Sequence, residues 1–135
     1  MRIAFIYSGN KKILEELIAG LSSVLLPSGH ELRVIKVEKE IGESNLQPYD
    51  FIFIGCPVIN IFKGRLPSEL VYYIHKCTGL ERKKSIALIV PRLIGNQKTL
   101  KNLMKLLESK GSLVVDFQEI KNVPRAIELL ASRIK

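Results

Sequence analysis

The chain of 135 residues has no tryptophan, two cysteines, two histidines, two methionines and only 7% aromatic residues. Each scarcity narrows the reading. Two cysteines, Cys56 and Cys77, are too few for a disulfide framework and fit a reducing compartment, so a cytoplasmic location is expected. No apolar run approaches the roughly 18 residues of a membrane-spanning helix, so no span is expected. The first residues lack a basic region, an apolar stretch and a small-residue cleavage site, so no signal peptide is expected either. Acidic residues are scarce too: 13 Asp and Glu stand against 21 Lys and Arg, for a formal net charge of +8. That balance favours acidic partners, whether a phosphorylated ligand, an acidic protein or nucleic acid. The basic residues are scattered, however, and the aromatic–basic signature of an RNA-binding sheet is missing, which argues against nucleic acid.

What is present is an ordinary globular composition, 47% hydrophobic and 25% charged, in about one domain's length of chain. Met1 to Leu26 organises the rest. Ile3, Ala4, Phe5 and Ile6 are apolar without polar alternation, as in a strand covered on both faces of a parallel sheet. The polar turn Ser8-Gly9-Asn10-Lys11 follows, and then a helix with Ile13, Leu14, Leu17, Ile18, Leu21, Val24 and Leu25 at helical spacing. A strand, a tight turn and a helix start present free N–H groups and a positive dipole end. A phosphate, if the protein binds one, is expected there.

Pro27 to His30 stops the chain, and Leu32 to Val37 reads as a second strand whose Arg33 and Lys36 suit a sheet edge. Glu38 to Pro48 is polar and short, and a loop or a single helical turn is expected. Phe51 to Ile54 is continuously apolar and therefore a central strand, running into Gly55-Cys56-Pro57 and Val58 to Gly64. Pro67 opens a helix at its first turn, with Leu70, Val71, Ile74 and Cys77 inward. Ile86 to Val90 is a fourth, buried strand. A loop from Pro91 to Asn96 leads to a helix with Leu100, Leu103, Met104 and Leu107 inward, capped by Gly111. Leu113 to Phe117 makes a fifth strand, and Asn122 with Pro124 starts a last helix through Val123, Ile127, Leu130 and Ile134. Strand and helix patterns alternate without repeats or linkers. Residues 1–135 therefore read as one α/β domain, a three-layer sandwich whose five-stranded parallel sheet has order 2-1-3-4-5.

In such sheets ligands lie beyond the carboxyl ends of the strands, where the strand order reverses. Three loops leave those ends: Ser8 to Lys11, Cys56 to Gly64 and Pro91 to Asn96. None contains Asp, Glu or His, so neither acid–base hydrolysis nor a metal centre has the side chains it requires there. Backbone N–H groups, small polar side chains and apolar contact remain. Plainer readings stand beside this one. Ser8-Gly9-Asn10 also suits a mere turn and helix cap, and Cys56 a small buried residue rather than a reactive thiol. Phe62 suits loop packing, and Arg92 either an anion partner or a solvated cation. His75 and Cys77 point to different faces of their helix, against a metal pair. Lys98, Lys101 and Lys105 form a polar stripe, either solvated or a docking face for an acidic partner.

The same residues carry a family resemblance over nearly the whole chain. Ser8-Gly9-Asn10 resembles the phosphate loop of the flavodoxins, and Gly55-Cys56-Pro57-Val58 with Gly64-Arg65-Leu66-Pro67 resembles their second flavin loop. The latter pattern is most similar to flavodoxin domains of the menaquinone-dependent protoporphyrinogen oxidase type. Lys84 to Val115 resembles the family's last third. The resemblance implies a flavodoxin-like fold, bound FMN, and electron transfer or a role as an oxidoreductase component; the net positive charge, unusual for that family, points to an acidic redox partner. The resemblance also implies FMN contacts from Ser8, Gly9, Asn10, Lys11, Cys56, Pro57, Val58, Ile59, Phe62, Gly64, Pro91, Arg92, Gly95 and Asn96. Against the family pattern the first loop is about two residues shorter and Lys11 replaces a threonine. Ile59 stands where an aromatic side chain stacks on the flavin, and the second loop carries roughly three extra residues. Only Phe62 offers a ring face, so weak or lost FMN is implied, with a cofactor-free interaction module as the alternative.

Overall fold

A computed structural model of the protein describes residues 1–39, 42 and 44–134. Its strands are β1 (Arg2–Tyr7), β2 (Glu31–Lys36), β3 (Phe51–Pro57), β4 (Lys84–Val90) and β5 (Leu113–Glu119); its helices are α1 (Lys12–Leu25), α2 (Ser68–Lys76), α3 (Asn96–Ser109) and α4 (Val123–Ser132). The sheet has order β2-β1-β3-β4-β5 and every pairing is parallel. This is the doubly wound topology expected from the alternating patterns. The register pairs Ile3 to Tyr7 with Phe51 to Gly55, so β1 and β3 end side by side.

Continuous apolar runs occupy the middle of the sheet because both of its faces are covered. β3 is buried from end to end, whereas the edge strands β2 and β5 are buried only in part. Helices α1 and α4 close one face, with Leu14, Leu17, Leu21, Leu25, Ala126 and Leu130 packed on Phe5, Phe53 and Leu88. Helices α2 and α3 close the other, with Leu70, Tyr73, Ile74, Leu100, Leu103 and Leu107 packed on Ile6, Ile54 and Ile89. Each fully buried aliphatic or aromatic side chain contributes roughly 1.5–3 kcal/mol. A missing helix cap costs only about 1 kcal/mol. The four buried leucines of α1 therefore outweigh its start at Lys11 without a side-chain cap.

Several boundaries differ from the sequence pattern. Val24 is 44% exposed, since α1 turns it past the edge of the leucine stripe. Pro67 stands one residue before α2, as its N-cap, and Tyr73 joins the buried face. Strand β3 runs three residues beyond Ile54, because Cys56 and Pro57 stay in register with Ile89 and Val90. Of the expected loop between Glu38 and Pro48, residues 40, 41 and 43 lie outside the described residues. Asn45 bridges to Thr78, and Leu46 and Tyr49 are buried.

Candidate functional site

The strand order reverses between β1 and β3, and the loops after β1, β3 and β4 meet above that crevice. The first loop is held from below. The Ser8 N–H donates to the Gly55 carbonyl at 3.1 Å, and the fully buried Ser8 hydroxyl donates to Glu69 Oε1 at 2.7 Å. Gly9 has φ +93°, and a Cβ there would lie 3.1 Å from the Pro57 ring. The first and second loops thus touch through the one residue able to adopt that backbone without strain. Asn10 accepts from Lys36 Nζ at 2.7 Å, while Lys11 is exposed. Gly9, Asn10, Lys36, Glu38, Lys39 and Glu69 surround a pocket of about 280 Å³.

The second loop folds on Asn60. Its side-chain oxygen accepts from the N–H groups of Phe62 (3.1 Å) and Lys63 (2.8 Å), and its carbonyl accepts from Gly64 N–H at 3.1 Å. Residues 60–64 thereby form a compact turn. That turn is fastened to α3, where Lys98 Nζ donates to the Phe62 carbonyl at 2.8 Å and Asn102 donates to the carbonyls of Lys63 and Gly64. Lys98 is therefore a loop anchor, while Lys101 and Lys105 stay exposed on its helix.

The third loop is closed by Asn96, which accepts from the Arg92 N–H and donates to the Arg92 carbonyl, both at 2.7 Å. Gly95 has φ +84°, and a Cβ there would lie 2.5 Å from the Ile61 carbonyl oxygen, so the second and third loops are in backbone contact. Together these loops present Ile59 (49% exposed), Phe62 (75%), Leu93 (100%) and Ile94 (59%) to solvent. Phe62 is thus not a core-packing residue. Cys56 and Val58 lie buried beneath the loops, and Val58 N–H donates to the Val90 carbonyl.

No protein-family model and no curated protein sequence matches the chain. Solved structures do. Oxidised flavodoxin 1 from Bacillus cereus is similar at a TM-score of 0.73 over 97% of this chain and 95% of that one, at 19% identity. Two-electron reduced Megasphaera elsdenii flavodoxin gives 0.74 over 94% of each chain at 16% identity. Fusobacterium nucleatum flavodoxin, solved bound to flavin mononucleotide, gives 0.66 over 99% of each at 11% identity. The chain has the flavodoxin fold.

Within this flavodoxin fold, sequence reasoning missed two residues. Asn60 carried a signal, since asparagine ahead of Gly64 marks a turn. Glu69 carried none: it lies 61 residues from Ser8 on a different element, and only the folding of α2 against the sheet brings them together. The three loops contain no carboxylate, yet two, Glu38 and Glu69, line the pocket beside the first of them. Burial first, and the negative charge of Glu69 second, push the Cys56 thiol up to about 12, so it is a neutral packing group rather than a nucleophile. A wider depression of about 600 Å³ lies at the opposite end of the sheet, lined by Arg2, Glu31, Arg33 and Tyr49. Its Arg2–Glu31 ion pair is solvent-exposed, and none of the three loops reaches it.

Proposed function

We propose that this protein binds FMN across the β1/β3 crevice and acts in electron transfer, as a carrier or as a component of a flavoprotein oxidoreductase. The observation that carries the reading is the meeting of three loops with unlike chemistry at the switch point. On one side stand the N-terminus of α1, which has no side-chain cap, and a charged pocket lined by Lys36, Lys39, Glu38 and Glu69. On the other stand exposed apolar side chains of the second and third loops. A planar apolar ring joined to a phosphate suits that polarity.

In this reading Gly9, Asn10 and Lys11 face the phosphate, Gly9 keeping the approach clear of a side chain and Lys11 supplying charge. Cys56, Pro57 and Val58 floor the crevice. Ile59 and Phe62 meet the ring from one loop, and Pro91, Arg92, Leu93 and Ile94 border it from the other. Gly64, Gly95 and Asn96 keep those two loops together. When bound, the flavin supplies the redox chemistry, and the protein supplies position and electrostatics. Arg92, Lys63 and Lys101 are exposed around this end, which suits an acidic redox partner. The two free, buried thiols suit a reducing compartment such as the cytoplasm.

A second reading, a cofactor-free interaction module with the same fold, draws support from the polar side chains of the first and third loops. Ser8 is bonded to Glu69, Asn10 to Lys36 and Asn96 to Arg92, so these groups are satisfied within the protein. Flavin fluorescence titration separates the two. Saturable quenching of FMN by the purified protein is expected, and a flat titration leaves the interaction module.

A further inference from the structure

Ser8 has two donors, and both are committed: its N–H to the Gly55 carbonyl and its hydroxyl to the Glu69 carboxylate. Ser8 is fully buried and does not line the neighbouring pocket, whereas Glu69 does, so an anion entering there meets the carboxylate and is repelled by it. That pocket lies beside Gly9 and Asn10, where two lysines, Lys36 and Lys39, face two glutamates, Glu38 and Glu69. Removing one carboxylate turns an electrically balanced pocket positive. Among the described residues no buried side-chain polar atom lacks a hydrogen-bond partner, so Ser8 does not wait with an unmet donor for a ligand.

We propose that Glu69 is a specificity-determining residue of this site: an internal carboxylate that holds the Ser8 hydroxyl and selects against dianionic phosphate relative to a ligand with an uncharged tail. The proposal rests on reading the crevice as a flavin site, and it deepens that reading by assigning the discrimination between flavins to a residue outside the three loops. The ligand class favoured by an intact Glu69 is a flavin or similar ring with a neutral polyhydroxy tail, whose hydroxyls donate to the carboxylate where a phosphate cannot.

The test compares the natural protein with Glu69→Gln, which keeps the size of the side chain and an oxygen to accept from Ser8 but loses the charge. FMN, riboflavin and inorganic phosphate are titrated into each, the flavins by fluorescence and the phosphate by calorimetry, with thermal unfolding as a check that the variant folds. Glu69→Gln is expected to tighten FMN and inorganic phosphate by about tenfold, while riboflavin changes by no more than about twofold. Equal changes for FMN and riboflavin overturn the proposal, as does an unchanged affinity for FMN and phosphate. If riboflavin binds the natural protein while FMN binds only Glu69→Gln, the proposal stands and the FMN reading fails; if neither flavin binds either protein, both fail. If FMN binds both equally well, the FMN reading stands and this one fails. Should Glu69→Gln prove unstable, Ser8→Ala, which removes the hydroxyl bonded to Glu69 and keeps the carboxylate, is expected to leave the natural preference between FMN and riboflavin unchanged. A preference that shifts toward riboflavin would show Ser8 serving the phosphate and overturn the assignment.

Discussion

The two ends of the candidate site are built on opposite principles. At the first loop the polar side chains bond to one another: Ser8 to Glu69 at 2.7 Å and Asn10 to Lys36 at 2.7 Å. At the second and third loops the backbone is tied down, through Asn60, Lys98, Asn102 and Asn96, but the apolar side chains point outward. A ligand at the first end must exchange existing hydrogen bonds, which returns little net free energy. A ligand at the second end removes exposed apolar surface from water, which returns roughly 25 cal/mol per Å². Affinity should therefore come mainly from the apolar end, and discrimination from the polar end.

The largest effect is expected where the apolar end is held together. Gly95→Val places a β-branched side chain at φ +84° and against the Ile61 carbonyl. Strain of this kind costs about 1–3 kcal/mol before the clash is counted, so denaturant unfolding should show at least that loss. Unchanged stability would mean that the second and third loops are not in fixed contact.

Next comes the ground between the two ends, where Cys56 lies beneath the loops. Its folded-state value is raised to about 12 from an ordinary 9, so above pH 9 the unfolded thiol loses its proton while the folded one keeps it. Stability attributable to this group is complete below pH 9 and lost as pH rises toward about 12. The loss is on the order of a few kcal/mol over that window. Cys56→Ala should flatten the dependence between pH 9 and 11 relative to the natural protein, and parallel curves for the two would remove Cys56 as its source.

At the polar end, Gly9→Val meets φ +93° and the Pro57 ring, for about 1–2 kcal/mol of strain. Weaker FMN or phosphate binding with the fold retained is expected. Equal affinity by calorimetry would take the first loop out of the site. The smallest effect belongs to Phe62→Ala. The side chain is 75% exposed, so thermal stability should change by less than about 0.5 kcal/mol. Stacking is worth about 0.5–1.5 kcal/mol, and flavin quenching should weaken by roughly three- to tenfold. A variant that binds as tightly as the natural protein would leave the apolar end without a stacking ring.

Read alone, the sequence determined the fold, because the fold is written in local periodicities. Uninterrupted runs at Ile3–Ile6, Phe51–Ile54 and Ile86–Val90 mark strands covered on both sides, and leucines at helical spacing mark the layers that cover them. It also located the three loops, since turn residues after buried strands are a local signal; that Gly9 and Gly95 take a positive φ there is decided by the structure. Tertiary structure decided how the loops are wired. That Lys98 fastens the second loop, that Phe62 faces solvent and that Glu69 reaches Ser8 all depend on elements 36 to 61 residues apart being packed on one sheet. A hydrogen bond depends on position in space, and sequence spacing encodes position only within one helix or strand. The Glu69 carboxylate is in the chain only a residue of α2's first turn, and it came to line the pocket beside the first loop only when the helix packed.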